Sequence, residues 1–177
     1  MDLDFVKNHI RNRGYMSGVE REKSRVRSTG EVFTPYDLVI KYIDYCESQD
    51  PTAFVFPENN FCDNSCGDGQ FLGEILIRKM ERGISFEEAL GGLYGVDFQI
   101  SNIMLCRERL LCGSTDQNHI DIVEKNIQFK NALKFGYTFQ AMGTARRKTE
   151  KRATNVQQVK DKKRKQSAIL NAVVKME

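Results

Sequence analysis

The chain of 177 residues has no tryptophan, three prolines and five cysteines, and it has no long apolar run. No segment approaches the roughly 20 apolar residues that span a bilayer, and the N-terminus lacks the basic and apolar regions of a secretion signal. We therefore expect a cytoplasmic protein without a membrane partner. Five cysteines without a CxxC pair predict reduced thiols rather than a disulfide framework. Because His9 and His119 have no ligand partners at paired spacing, we expect no metal site.

The net charge of +3 conceals an uneven distribution of charge. Residues 7–27 carry seven basic and two acidic side chains, residues 28–145 carry nine and seventeen, and residues 146–165 carry ten and two. We therefore predict flexible basic arms at residues 1–27, where a loosely specified short helix is an open alternative, and at residues 140–177. Such arms suit a polyanion such as nucleic acid, because each neutralised phosphate releases condensed counterions; a solvated tail is the alternative. The candidates for nucleic-acid contact are Arg146, Arg147, Lys148, Lys151, Arg152, Lys162, Lys163, Arg164 and Lys165.

Between the arms, residues 28–139 alternate short apolar runs with amphipathic segments. A helix is predicted from Pro35 to Gln49, with Thr34 as its N-cap and Pro35 in the first helical position. A polar loop is predicted after residue 112. Strands alternating with helices favour an α/β domain with a parallel sheet. The strands are expected at residues 60–64, 93–97 and 126–129, and the helices between them at 70–82, 86–90 and 99–112.

The first predicted strand leads into a glycine-rich turn, residues 66–69 (CGDG), before a helix. Glycines at the carboxyl end of a strand let the backbone approach a ligand, and the helix presents free N–H groups there. Gly73 extends the pattern only to a GxGxxxG variant of the dinucleotide fingerprint, and an ordinary tight turn is the alternative. Asp97, at the end of the second strand, favours a ligand, because its carboxylate can accept hydrogen bonds from ribose hydroxyls. For the Cys66 thiol we predict a structural role, since no activating base is identifiable.

Four segments occur in a characteristic order: TGEVFTP (29–35), DNSCGDGQFL (63–72), GVDF (95–98) and NIQFKNAL (126–133). They resemble successive motifs of S-adenosylmethionine-dependent DNA adenine-N6 methyltransferases of restriction–modification systems and phages. The resemblance implies a Rossmann-like sheet reduced to its first three βα units, with S-adenosylmethionine as cofactor and DNA as substrate in a bacterial or phage-infected cell. It also implies direct in-line methyl transfer to the adenine amine, without a metal. An NAD(P)-dependent oxidoreductase is disfavoured, because residues 34–35 have no role in it.

The resemblance implies a role for each residue that matches a cofactor motif. Many relatives have Asp where this chain has Asn131, whose carbonyl oxygen can still accept a hydrogen bond. By the resemblance, Thr34 and Pro35 hold the methionine carboxylate end, Asp63, Cys66, Gly67 and Gly69 surround the amino and carboxylate groups, Asp97 binds the ribose hydroxyls, Phe98 lies against the adenine, and Asn131 takes the adenine amino edge.

The loop that holds the flipped adenine in this family is missing from the chain. Relatives place Asn, Asp or Ser, two prolines and an aromatic residue after a fourth strand, whereas the prolines here are Pro35, Pro51 and Pro57, none of them adjacent. The catalytic residues are therefore unknown. Three explanations are open: a split enzyme completed by a second polypeptide, a truncated gene product, and a non-catalytic module that binds the cofactor or DNA.

The missing fourth strand also predicts an uncovered sheet edge. In the family this strand lies beside the first, and an unpaired apolar edge invites pairing with another strand. We expect the edge to be covered either by a partner chain, including a second copy of this one, or by residues 167–174 added as a strand.

Overall fold

The computed structural model describes residues 1–12 and 34–136. All the candidate nucleic-acid contacts, from Arg146 to Lys165, lie outside the described residues, as do residues 29–33 of the first motif. No helix in the described part of the chain is long and apolar enough to cross a membrane. The described elements are α1 (Leu3–Asn12), α2 (Tyr36–Gln49), β1 (Phe61–Asp63), α3 (Gln70–Glu81), α4 (Phe86–Gly91), β2 (Leu93–Asp97), α5 (Ile100–Leu111), α6 (Gln117–Asn126) and β3 (Ile127–Phe129).

The three strands form one parallel sheet in the order β1-β2-β3. Asp63, the last residue of β1, lies opposite Gly95, and Asp97, the last residue of β2, lies opposite Phe129. The strands therefore end at the same edge of the sheet, and the turns that follow them are neighbours. This arrangement confirms the predicted α/β class and the alternation of strands with helices.

Helix α3 lies at the centre of the packing and contacts α1, α2, α4 and α5 as well as β1 and β2. Its side chains Leu72, Leu76 and Ile77 are 0% exposed. Burying a large aliphatic side chain contributes roughly 1.5–3 kcal/mol, so this helix anchors the core. Leu93 and Ile127 supply the core from the sheet. The site at the start of α3 is therefore built on a rigid element.

The start of α2 differs from the prediction by one residue. The helix begins at Tyr36, and Pro35 is its cap residue, with φ −55° and ψ 140°. The Pro35 carbonyl accepts hydrogen bonds from the N–H groups of Leu38 and Val39 at 3.0 and 3.2 Å. The prediction that Thr34 caps the helix was wrong, because the extended conformation of Pro35 already turns its carbonyl toward the first helical donors.

Helix α6 occupies most of the region for which a polar loop was predicted. Asp116 is its N-cap and accepts a hydrogen bond from the N–H of Asn118 at 2.9 Å. Its buried apolar side chains are Ile122 and Val123. Two apolar residues give a weak periodic signal, and packing against α4 and α5 supplies the remaining stabilisation.

Helix α1 shows that the first residues of the predicted N-terminal arm are folded. Residues 1–27 were assigned to a flexible basic arm, but Val6 and Ile10 are 0% and 2% exposed and belong to the core. Arg11 donates hydrogen bonds to the carboxylate of Glu74 on α3. The first twelve residues are therefore part of the folded domain, because an amphipathic helix that buries one face no longer behaves as a free tail.

Candidate cofactor-binding site

The turn between β1 and α3 requires glycine at two positions. Gly67 and Gly69 have φ angles of +52° and +84°, in the left-handed region that side-chain-bearing residues rarely adopt. A Cβ on Gly69 would also lie 2.7 Å from Sγ of Cys106 on α5. The N–H of Gly69 donates to the Cys66 carbonyl at 2.8 Å and closes the turn. Backbone conformation and the close approach of α5 together explain the glycine at residue 69.

Asp97 links the end of β2 to this turn. Its Oδ2 accepts a hydrogen bond from the N–H of Gly67 at 3.0 Å. Its Oδ1 accepts from the N–H of Gln99 at 2.7 Å and from the side-chain amide of Asn102 at 3.3 Å. An ionised carboxylate offers about four acceptor positions, so acceptor capacity remains for a ligand. Asp97 thus has a structural role beside the binding role that the sequence predicts.

Asp63 lies at the end of the neighbouring strand. Burial raises the pKa of its carboxyl; the negative charge of Asp97 raises it further, and a hydrogen bond from the N–H of Ser65 partly offsets this. That hydrogen bond measures 3.0 Å. Two carboxylates thus lie close enough to repel each other. A cationic group beside them would relieve that repulsion.

Cys66 is 4% exposed and lies beside Cys106. A hydrogen bond with Cys106 raises the pKa of the Cys66 thiol, and burial raises it further. A thiol that stays protonated is a poor nucleophile. The surroundings of Cys66 therefore favour the predicted structural role.

The Thr34-Pro35 segment is tied to the same region through the next residue, Tyr36. The Tyr36 hydroxyl donates a hydrogen bond to Oε1 of Glu74 on α3 at 2.9 Å. Thr34 is half-buried and Pro35 is exposed. The start of α2 is thereby joined to the helix that follows the glycine turn.

Two aromatic rings lie beside Asp97. Phe98 is 66% exposed, and its ring centroid is 6.4 Å from that of Phe129, with the ring planes at 39°. Asn131 uses its side-chain oxygen within its own turn, where it accepts from the N–H of Leu133 at 3.0 Å. The structure therefore places Phe98 beside a second ring that the sequence did not single out, and the side-chain oxygen of Asn131 keeps a second acceptor position.

A buried ion pair beneath the turn was not predicted. The guanidinium of Arg109 on α5 donates to Oδ2 of Asp68 at 2.7 Å and to the Asp68 carbonyl at 2.9 Å. It also donates to the carbonyl of Ile10 at 3.2 Å. Asp68 and Arg109 are 2% and 4% exposed. The signal available in the sequence was an arginine on the apolar face of α5, three residues after Cys106.

The third glycine of the GxGxxxG pattern serves packing. A Cβ on Gly73 would lie 2.8 Å from Cγ2 of Ile10. Its neighbour Glu74 is 1% exposed and accepts from Nε and Nη2 of Arg11 at 3.1 and 3.2 Å. Gly73 therefore admits α1 against α3 and is not part of the glycine turn.

Gln70, the first residue of α3, was also missed. It is 6% exposed, and among the described residues neither Nε2 nor Oε1 of its amide has a hydrogen-bond partner. Each unsatisfied buried polar group costs about 1–3 kcal/mol. This unsatisfied amide therefore lies in the residue that directly follows the glycine turn, at the start of α3.

These features define an α/β protein with a candidate ligand site where three parallel strands end. Comparison of the chain with protein-family models, with curated proteins and with solved structures gives no significant match. In the described part of the chain, no group of three or more His, Cys, Asp or Glu side chains could hold a metal ion. The site consists of a glycine turn, two carboxylates, an aromatic pair and a buried amide.

Proposed function

We propose that the chain is the cofactor-binding half of an S-adenosylmethionine-dependent DNA adenine-N6 methyltransferase, with a Rossmann-like sheet of three βα units. The observation that carries this proposal is the 3.0 Å hydrogen bond from the N–H of Gly67 to Oδ2 of Asp97. It joins the motif that the resemblance assigns to the amino-acid end of the cofactor to the motif assigned to its ribose. One ligand can therefore contact both.

The residues present fit S-adenosylmethionine, which supplies a methyl group on a positively charged sulfonium. Asp63 and Asp97 provide negative charge and hydrogen-bond acceptors for the cationic and ribose groups. The turn and the start of α3 provide N–H donors for the carboxylate. Phe98 and Phe129 offer exposed aromatic surface for the adenine. The buried Gln70 amide, without a partner in the described residues, adds an unsatisfied donor and acceptor.

Binding of DNA is proposed for the basic residues 146–165. Their ten basic side chains would neutralise phosphates. The groups that hold the target base are unassigned, because no proline follows Pro57. On this proposal, methyl transfer requires a second polypeptide that supplies the base-holding loop.

A non-catalytic module that binds the cofactor or DNA is the second candidate function. The observation that favours it is the absence of adjacent prolines anywhere in the sequence. The two candidates share the cofactor site and differ only in whether transfer follows binding.

Calorimetric titration tests the cofactor site. We expect S-adenosylmethionine to bind and NADPH not to bind. Asp97→Asn should weaken binding about tenfold or more, since one acceptor becomes an amide donor. Asp121→Asn is the matched control, because Asp121 is exposed on α6 and bonds only Gln117 among the described residues. Binding of NADPH alone, or equal binding by both variants, would contradict the proposal.

Transfer of tritiated methyl groups to unmethylated DNA separates enzyme from module. The assay is run with the chain alone and with the product of any adjacent reading frame. Incorporation that requires both polypeptides supports the split enzyme. No incorporation in either case, with cofactor binding intact, supports the non-catalytic module.

A further inference from the structure

Gln70 directly follows the glycine turn and is the first residue of α3. In an α-helix each Cα–Cβ bond tilts toward the N-terminus, so a side chain covers the turn that precedes its own Cα. Gln70 is the first residue of α3, which has 12 residues, and the preceding turn is residues 66–69. From this general tilt we expect the Gln70 side chain to lean toward the backbone that the proposed cofactor approaches.

Two other buried or half-buried polar side chains around this turn, Asp68 and Asp97, already have partners. Asp68 bonds Arg109, and Asp97 bonds Gly67 and Gln99. Gln70 differs, because both of its amide atoms lack a partner within residues 1–12 and 34–136. A position needed only for packing would accept leucine or methionine of similar size without leaving a polar group unsatisfied.

We propose that the Gln70 amide binds the amino-acid end of the cofactor, with Nε2 donating to the carboxylate and Oε1 accepting from the ammonium group. This assignment rests on the proposed cofactor function. An α-amino acid presents an acceptor and a donor side by side, which matches the two ends of a primary amide. Because the Gln70 amide is buried in the protein without cofactor, this binding mode requires a rotation about the side-chain torsions that brings the amide to the ligand.

The binding mode also predicts selectivity for a free carboxylate. Decarboxylated S-adenosylmethionine keeps the ammonium group and loses the acceptor for Nε2. In the wild-type protein, the analogue should therefore bind more weakly than the intact cofactor. Replacement of Gln70 should reduce that difference, because the donor that recognises the carboxylate has been removed.

The test is a pair of measurements on Gln70→Leu, with Gln117→Leu as control. Gln117 is also the first residue of its helix, α6, and is exposed. We expect Gln70→Leu to raise the thermal midpoint of the protein without cofactor by a few degrees, since an unsatisfied buried group is removed. We expect it to weaken binding of S-adenosylmethionine about tenfold. Gln117→Leu should change neither quantity.

Gln70→Glu provides a second variant of nearly the same shape. Its carboxylate can accept from the ammonium group but repels the cofactor carboxylate. It should therefore weaken binding of the intact cofactor by a larger factor than binding of the decarboxylated analogue.

The outcomes distinguish this inference from the function on which it rests. If the wild-type protein binds S-adenosylmethionine and both Gln70 variants bind it equally well, the role of Gln70 is overturned and the proposed function stands. If the wild-type protein does not bind the cofactor, both are overturned. Equal losses for the cofactor and the analogue in Gln70→Glu would also contradict the assignment, because they would indicate a general packing effect.

Discussion

The carboxyl of Asp63 is held where its charged form is disfavoured. Burial and the nearby Asp97 raise its pKa above the model-peptide value of 3.8. At pH values between 3.8 and the raised pKa, the folded state still binds a proton that the unfolded state has released. The free energy of unfolding therefore falls as pH rises through this range. At neutral pH the ionised carboxyl therefore destabilises the fold. Such a destabilising group at a strand end is typical of a binding site.

Replacing Asp63 with Asn should stabilise the protein without cofactor at pH 7, because a half-buried charge and its repulsion with Asp97 are removed. The same change should weaken binding of cationic S-adenosylmethionine about tenfold. Urea unfolding and calorimetry measure the two effects, with Asp121→Asn as control. A variant that loses stability and keeps full affinity would show that Asp63 is a structural residue.

The side chain of Lys79 is buried and bonds backbone carbonyls, and its pKa is shifted in the opposite direction to that of Asp63. Its Nζ donates to the carbonyls of Pro57 and Asn59 at 3.1 and 2.8 Å and lies 5.7 Å from the centre of the Phe61 ring. The side chain is 0% exposed. Burial lowers its pKa from 10.5 to about 8, although the charges of Glu58 and Glu88 oppose the shift.

The Lys79 shift predicts how stability depends on pH. Between about pH 8 and 10.5 the unfolded chain keeps a proton that the folded state has lost, so this group makes the free energy of unfolding rise by about 3 kcal/mol. Cys66 and Tyr36, whose pKa values are raised, oppose the rise above about pH 9. The measurement is therefore the difference between wild type and Lys79→Met in urea unfolding across this range. A difference that stays constant with pH would contradict the prediction.

At the scale of elements, buried polar side chains connect helices that are distant in sequence. Arg109 joins α5 to the glycine turn and to the end of α1. Glu74 joins α3 to Arg11 of α1 and to Tyr36 of α2. The Arg109 contacts hold the turn directly, and the Glu74 contacts hold the helix that follows it. The geometry of the site therefore depends on α1, which the sequence assigned to an arm.

Arg109→Met should lower the free energy of unfolding by about 3–5 kcal/mol, because it leaves the Asp68 carboxylate buried without its partner. Lys7→Met is the control, since it removes only the partly exposed pair with Glu81 and should cost at most about 1 kcal/mol. Denaturant titration of both variants measures the difference. Equal losses would show that the Arg109 pair contributes no more than a surface ion pair.

At the scale of the whole molecule, the outer edge of β1 has no strand partner among the described residues. An apolar pocket of about 300 Å³ adjoins this edge, between α2, β1 and α3. Tyr42 and Cys46 line it from α2, and Phe61 and Leu72 line it from β1 and α3. An unpaired edge beside an apolar pocket is suited to receive an added strand.

The edge prediction is tested by deleting residues 167–174. If this segment covers the edge, deletion should accelerate amide exchange at Cys62, whose N–H faces away from β2 because the N–H of Phe61 bonds the Gly92 carbonyl. Deletion should also promote self-association, seen by size-exclusion chromatography. If a second copy covers the edge, the intact protein should already be a dimer. Replacement of Gln157 and Gln158 by Ala, in the same C-terminal part of the chain, serves as control. An intact monomer that stays monomeric with unchanged exchange after deletion contradicts both forms.

Local patterns were sufficient to predict most elements. Three strands, the glycine turn and Asp97 were predicted because strand residues, turn glycines and the first helical residues signal their conformation within a few positions. Helix α6 was missed, since its two buried apolar residues give little periodicity. The exposed ring of Phe129 was missed because exposure depends on where the neighbouring strand ends.

The sequence by itself determined the α/β alternation, the position of the glycine turn and the lack of adjacent prolines, since each is a property of neighbouring residues. Only the tertiary structure decided that Arg109 bonds Ile10 across 99 positions, that Gly73 admits α1 and that Gln70 is buried without a partner in the described residues. Contacts between distant residues depend on how helices pack on the sheet. Burial, which makes an unsatisfied amide or carboxyl costly, exists only after that packing has formed.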